Sequence, residues 1–542
     1  MTKVALRGKP DAGNPHVAPS QCYGGTSRFD EGEVAPAATP RRGSLRYTRN
    51  KVVAGLSAIF WACSMACSAQ SPFPDVRFAG RPLTAELAYD SAYPLNQVWP
   101  GYERPLHQRK VDAFVQFDVT ESGRLELPLP EGVDAASVRV RPMSRAPGRV
   151  DGRRIVFDIT APEQFVVEFG EGRPQLHVFA NPPFRYRHVP GEIYFGPGEH
   201  EAGLICPTNG QTVCLDAGAT VYGAILMENV TNVTVTGRGI LDSSRIRRVS
   251  SDGRYLRTLS AEDRSALRDV TALMCRGCAH VRVDGIVFRD SPFWILIFRN
   301  GCQDVRIDNV KTVGQWRYNS DGIDICGCQD VTMRNSFIRS FDDSFVVRDG
   351  GAGREGGTCH VLRNVTCENC ILWCDWGYNF KAQLTGVRGA RIEDVTVRKC
   401  VFANVSSGGI IVAARPGGPD GVVRGVTVED IEYDVPAPRY RNQYQKKENP
   451  AEAFMPKPMP ALSLFAVYNY DLSRVDVSKI NLLFDRLAFR RFRVFGEAVP
   501  YTGTFRLTAG HEEVRDLVIE DLPPDVSITR KATFVNARWA SQ

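Results

Sequence analysis

The sequence predicts an all-β protein: a right-handed parallel β-helix preceded by an N-terminal β-sandwich. Three observations predict it. The chain of 542 residues holds 48 Gly and 34 Pro, and its Val, Ile and Phe residues fall in short runs with no sustained helical period. Segments such as "CAHVRVDGIVF" from Cys278, "CQDVRIDNVKT" from Cys302 and "CQDVTMRNSFI" from Cys328 recur at steps of 24 and 26 residues, the mark of a solenoid whose coils share one core. Ahead of these repeats lie short alternating strands divided by Gly/Pro/Asp turns, which read as a compact sandwich.

Residues 1–70 read as a leader and signal peptide. The opening stretch, to about residue 40, is Pro/Gly/Ala-rich without periodicity. The basic run "RRGSLRYTRNK" then precedes an uncharged stretch from Val52 to Ala69, with Cys67-Ser68-Ala69 before Gln70 as a small-residue cleavage site. That stretch is too short and too rich in small residues for a membrane span, so export to the periplasm or the outside is expected. Neither Cys63 nor Cys67 follows a good lipobox, which makes lipid anchoring the weaker alternative. Residues 1–51 carry nine Lys/Arg against four Asp/Glu, so nearly all of the formal charge of +6 belongs to the leader. The rest is close to neutral, which argues against a nucleic-acid partner.

Residues 71–184 form the expected sandwich, with strands in "AFVQFDVTESGRLELPLP", "GRRIVFDIT", "QFVVEFG" and "LHVFANPP". Residues 185–542 form the expected β-helix, whose register continues in "CHVLRNVTCENCIL" from Cys359, "GARIEDVTVRKCVF" from Gly389 and "GVTVEDIEYD" from Gly425. Asn309-Val310 and Asp394-Val395 suit the corners between strands. His280 and His360 occupy the repeat position of Asp304 and Asp330, and so read as turn residues. The polar, Pro-rich "VPAPRYRNQYQKKENPAEAFMPKPMP" reads as a long surface loop. Twelve of the 15 cysteines follow the leader; without a His cluster to complete a zinc site, Cys275-x-x-Cys278 and Cys367-x-x-Cys370-x-x-x-Cys374 read as packed small residues or disulfides. No metal or other cofactor is called for, and the chain is expected to act as a monomer.

The chemistry concentrates in "NSDGIDICGCQDVTMRNSFIRSFDDSF", residues 319–345. A period near 24 puts Asp321 and Asp342 on adjacent coils of one face. Asp342 and Asp343 cannot both point outward from a regular strand, so they belong to a turn held by Phe341 and Phe345. Carboxylates gathered this way repel, which raises the pKa of one and leaves another ionised. That division suits glycoside hydrolysis, where one acid protonates the leaving group and a carboxylate activates water. The plain alternative for any single Asp is a turn cap, a solvated charge or a calcium ligand; the constellation favours catalysis.

Asn319-Ser320-Asp321-Gly322-Ile323-Asp324 and Phe341-Asp342-Asp343 resemble the Asn-Thr-Asp and Gln-Asp-Asp motifs of glycoside hydrolase family 28, the polygalacturonases. The dextranases of family 49 are similar in their three aspartates on a β-helix behind an N-terminal sandwich. The resemblance implies Asp342 as general acid, Asp321 and Asp343 as the pair that positions and deprotonates water, and inversion of configuration. Two departures bear on the substrate. Gly377-Tyr378-Asn379 stands where family 28 has Gly-His-Gly, and Ile411 and Ala413 stand where its Arg-Ile-Lys motif meets the sugar carboxylate. An anionic sugar without those cations is costly in a closed cleft, so a neutral dextran-like α-glucan is the expected polysaccharide substrate, with polygalacturonate as the alternative. Lys381 or Arg415 would restore a cation from a neighbouring rung. Asn319, Asp324, Trp316, Asp375, Trp376 and Tyr378 complete the candidate substrate contacts, the rings as stacking platforms for sugar faces. A polysaccharide lyase on the same fold, or a non-catalytic glycan-binding protein, is the remaining alternative.

Overall fold

The computed structural model describes residues 71–92, 106–246, 271–350, 361–405, 408–414, 420–435, 440–441, 457–458, 461–469, 481–496, 499–507 and 512–539. The expected leader, His360, Cys359, Arg415 and most of the Pro-rich excursion lie outside the described residues. Tyr440–Arg441 and Lys457–Pro458, at the two ends of that excursion, pair antiparallel.

Two five-stranded sheets come first. One orders its strands Arg81–Leu83, Val76–Phe78, Gly123–Pro128, Arg154–Ile159 and Arg149–Asp151, all antiparallel. The other orders Glu86–Ser91, Arg109–Asp118, Gln175–Asn181, Glu163–Glu168 and Arg139–Arg141, with one parallel pair at its centre. Leu125, Phe157, Val115, Val167 and Val178 fill the space between them. The second sheet is apolar on both faces. Ala113 and Val115 of Arg109–Asp118 face the sandwich core, while Phe114 between them packs on the following domain with Val166 and Phe179. Continuous apolar runs rather than strict alternation follow from that double burial.

The β-helix runs from Ile193–Phe195 to Thr533–Val535 as 30 strands whose successive coils pair in parallel, three strands per coil. Its first sheet contains Leu273–Arg276, Leu296–Arg299, Ile323–Cys326, Phe345–Arg348, Tyr378–Leu384 and Gly408–Ala414. Its second contains Ala279–Asp284, Gln303–Asp308, Gln329–Arg334 and Val361–Glu368. Its third contains Ile240–Asp242, Val287–Arg289, Lys311–Val313, Phe337–Ser340 and Ile371–Cys374. In-register pairing stacks like on like: Val281, Val305, Val331, Val365, Val395 and Val426 form one buried file. Each such fully buried side chain contributes about 1.5–3 kcal/mol.

The corners explain the Asn/Asp pattern. His280, Asp304, Asp330 and Asp394 have φ of +55, +49, +57 and +53°, and Asn309, Asn335 and Asn369 have +51, +51 and +55°. Asn and Asp adopt this left-handed conformation more readily than branched residues. Their side chains also bond from coil to coil, as Asn335 Nδ2 donates to Asp308 Oδ1 at 2.8 Å and Asn369 Nδ2 to Asn335 Oδ1 at 2.8 Å. The third sheet turns its outer face to the sandwich, where Val287, Val313, Phe337 and Trp373 meet Phe114 and Phe179. The described cysteines are free thiols, most of them in the lumen, so the disulfide alternative is not formed among them. Cys275, Cys278 and Cys302 bring their sulfurs within 4.8 Å of one another. Cys278 and Cys302 bond backbone carbonyls at 3.2 Å, the satisfaction a core thiol needs. No described helix is long and apolar enough to cross a membrane.

Candidate active site

Three corners that lead into the first sheet stack on successive coils: Asn319–Gly322, Phe341–Ser344 and Asp375–Gly377. Backbone bonds join them, Gly322 N to Asp343 O at 2.8 Å and Ser344 N to Tyr378 O at 2.9 Å. Two glycines allow this approach. A Cβ on Gly322 would stand 2.2 Å from Ser344 O, and one on Gly377 would stand 2.5 Å from Asp343 Oδ1 and 2.6 Å from Asp342 Oδ1.

The stacking gathers Asp321, Asp324, Asp342 and Asp343. Asp321, Asp324 and Asp343 are at most 2% exposed, whereas Asp342 is half-buried and the most open of the four. Asp343 is anchored on both oxygens: Oδ1 accepts the Tyr378 N–H at 2.8 Å and Oδ2 pairs with Lys381 Nζ at 2.7 Å. Asp321 Oδ1 accepts from Asn319 Nδ2 at 2.9 Å, and Asn319 itself has φ +57°. Arg348 Nη2 lies 3.4 Å from Asp321 Oδ2 and 3.3 Å from Asp324 Oδ1, with its guanidinium 4.5 Å from the Trp294 ring centre. Asp342 Oδ1 accepts the Asp343 N–H at 3.0 Å.

Four carboxyl groups share two cations here, so the cluster keeps protons into the neutral range. Burial first, then the Asp343 carboxylate, pushes Asp342 up to about 7. Burial likewise pushes Asp324 up to about 7 against the pull of Arg348. Asp321 is raised well above an ordinary carboxyl by burial, then by Asp342, Asp324 and Asp343. An open carboxylic acid beside a lysine-paired carboxylate can donate a proton on one side and take one on the other.

Several expected contacts are placed elsewhere. Trp376 is 2% exposed and stacks on Phe341 with ring centres 5.7 Å apart, so it supports the Asp342 turn and offers no open face to a sugar. Trp316 is 6% exposed, with the Arg109 and Arg317 guanidinium groups each 5.7 Å from its ring centre. Asp375 is fully buried, and its Oδ1 accepts from Trp373 Nε1 at 3.0 Å and Asn404 Nδ2 at 3.3 Å, so it presents no open carboxylate to a sugar. The Tyr378 ring packs with Ile411, Ala413 and Tyr468, and its backbone N–H reaches Asp343. Lys381 is the rung neighbour of Ile411, as the register requires, but it is paired with Asp343. Arg415 lies outside the described residues. Arg348 is the residue that sequence reasoning missed. Its signal was present, because in Phe345–Arg348 the lumen-facing Phe345 and Val347 alternate with outward Val346 and Arg348.

Residues 212–437 match the family model Glycosyl hydrolases family 28. A dextranase of Arthrobacter sp. (strain CB-8) is 25% identical over 240 residues, covering 40% of this chain and 35% of that protein. A polygalacturonase of Persea americana is 28% identical over 144 residues, covering 26% of this chain and 29% of that protein. The chain thus spans about a third of the length of the curated relatives it matches. The solved structure of Dex49A from Penicillium minioluteum covers 80% of this chain and 90% of its own, with a TM-score of 0.52 at 15% identity, a likeness of fold. The coils that carry the aspartate cluster are thus similar in sequence to family 28 glycosyl hydrolases and to a dextranase, and the fold is similar to that of Dex49A.

Proposed function

We propose that the protein is an exported, inverting glycoside hydrolase that cleaves a polysaccharide, a neutral dextran-like α-glucan. The observation that carries this reading is the pairing of an open, proton-holding Asp342 with an Asp343 carboxylate locked to Lys381. Asp342 protonates the glycosidic oxygen as the C1–O bond breaks. Asp343 and Asp321 hold a water on the opposite face of the sugar; Asp343 takes its proton as the new C1–O bond forms, and exchange with solvent resets both groups. Asn319 orients Asp321 for this task.

The neutral substrate rests on charge. Arg348 and Lys381 are each paired with site carboxylates, and Ile411 and Ala413 continue their rungs with apolar side chains. Among the described residues, the cations of these rungs are already matched by carboxylates, so a uronate entering there adds an uncompensated charge, whereas a glucan brings none. The polygalacturonase reading is second, favoured by the family 28 match over the central coils. Export rests on the basic-then-apolar segment ending at Ala69, and the enzyme acts as a monomer without a metal.

Reducing-sugar release from dextran, pullulan, polygalacturonate and arabinan by the purified mature chain tests this, with Asp342→Asn as control and proton NMR of the newly released anomer. Release from dextran with inversion and survival of activity in chelator is the expected result. Release from polygalacturonate alone overturns the neutral substrate. Unsaturated products absorbing in the ultraviolet point to a lyase, and binding without any new reducing end points to a glycan-binding protein.

A further inference from the structure

We infer that the N-terminal sandwich positions the catalytic turns of the β-helix through a buried clamp on Arg339; this rests on the hydrolase reading above. Arg339 is on the third-sheet strand Phe337–Ser340, three residues before Asp342, and is 1% exposed. Its Nη1 lies 3.0 Å from Asp90 Oδ2, 3.0 Å from Gln175 Oε1, 3.0 Å from His177 Nε2 and 3.7 Å from Asp112 Oδ2, all groups of the sandwich. Its Nη2 lies 3.7 Å from Asp375 Oδ1, and its guanidinium 4.7 Å from the Trp373 ring centre.

The groups around Arg339 suit a fixed clamp. His177 Nδ1 bonds Ala113 O at 3.0 Å, so Nε2 is left to accept from Arg339, a tautomer assigned from these partners. Burial pushes His177 down to about 4, which keeps it neutral. Burial pushes Asp112 up to about 7, with the Asp90 carboxylate adding to the rise against the pull of Lys110 and Arg339. A guanidinium with a rigid fork matches such a set better than an ammonium does.

The clamp borders the segments that lead into the corners of the aspartate cluster. Asp90 Oδ1 accepts the Gly314 N–H at 3.1 Å, where the chain leaves the third sheet toward Asp321. Ser340, next to Arg339, donates its hydroxyl to Asp342 O at 2.6 Å and accepts the Asp375 N–H on its own carbonyl at 3.0 Å. Asp375 opens the turn whose Gly377 lies against the Asp342 and Asp343 carboxylates. A shift of this turn changes both the aim of Asp342 and its exposure to water. Simple domain packing would need only the apolar contacts of Phe114, Phe179 and Phe337, which lie beside this network.

The test uses the full mature chain with Asp90→Asn, Arg339→Gln and Arg339→Lys. Asp90→Asn is expected to lower kcat about 10- to 100-fold with KM within about twofold, the signature of a misaimed acid rather than a lost sugar contact. Its alkaline limb of kcat/KM is expected at lower pH than in the parent, because a loosened turn hydrates Asp342. Arg339→Lys is expected to recover part of the activity lost in Arg339→Gln. Amide exchange read by mass spectrometry should rise in residues 341–345 and 375–379 of Asp90→Asn and stay unchanged in the remote strand Tyr501–Arg506. Unchanged kcat, limb and exchange in Asp90→Asn overturn the clamp. A parent chain that cleaves no glycan, with the exchange change still present, removes the hydrolase reading and leaves the clamp standing. Should Arg339→Gln fail to fold, the isosteric Asp90→Asn carries the test.

Discussion

Nζ of Lys381 lies 2.7 Å from Oδ2 of Asp343, on the outward column of the first sheet that also holds Asp324 and Val346. This cation pairs with Asp343 and draws the neighbouring Asp342 downward, against burial and the Asp343 carboxylate.

The acid role proposed for Asp342 requires its proton, so kcat/KM is expected to hold below neutrality and fall as pH rises through about 7. Lys381→Met removes a charge that lowers Asp342. Its alkaline limb moves to higher pH, and its kcat falls because Asp343 is left buried without its cation. Initial rates on the cleaved glycan across the neutral range check both, and a limb that stays in place assigns the titration to another group.

Gly377→Ala places a methyl group within 2.6 Å of the Asp342 and Asp343 carboxylate oxygens. The turn must shift, and kcat is expected to fall about 100-fold. The folded state should persist by circular dichroism, with a melting temperature a few degrees lower. Parent-like turnover would mean that this turn does not set the aim of the acid.

Ile325 is fully buried in the lumen between rung neighbours Phe298 and Val347. Ile325→Ala leaves a cavity that flanking coils cannot fill without breaking register, a loss of about 2–5 kcal/mol. Chemical denaturation read by tryptophan fluorescence checks the size.

Asp434 is buried, its Oδ2 accepts the Met143 N–H at 2.8 Å, and burial pushes it up to about 7 despite Arg141. The folded chain therefore holds a proton that the unfolded chain releases near pH 4. Stability from this group is full below that value and is lost as pH rises through about 7, with an upper bound of about 4 kcal/mol. Asp434→Asn lacks this step, so its melting temperature relative to the parent should be higher at about pH 8 than at about pH 5. A constant difference across that range would place the titration elsewhere.

Register arithmetic is why much of the architecture was legible. Steps of 24 and 26 residues put Asp321 beside the Asp342-Asp343 turn, because parallel coils stack equivalent positions one above another. The same arithmetic set Lys381 beside Ile411, and the Asn/Asp corners announced their own left-handed turns. What escaped was the side of each corner a residue faces. Trp316, Trp376 and Asp375 adjoin polar turn motifs and read as ligand contacts, yet all three are buried. Nothing in local spacing shows that a separate domain covers the third sheet. Periodicity by itself determined the solenoid and the company of the aspartates, since both repeat along the chain. Tertiary structure alone decided which carboxyl keeps a proton, where Lys381 and Arg348 direct their charge, and that Arg339 answers to the sandwich. Those outcomes depend on burial and, for Arg339, on partners more than a hundred residues away, which no local pattern encodes.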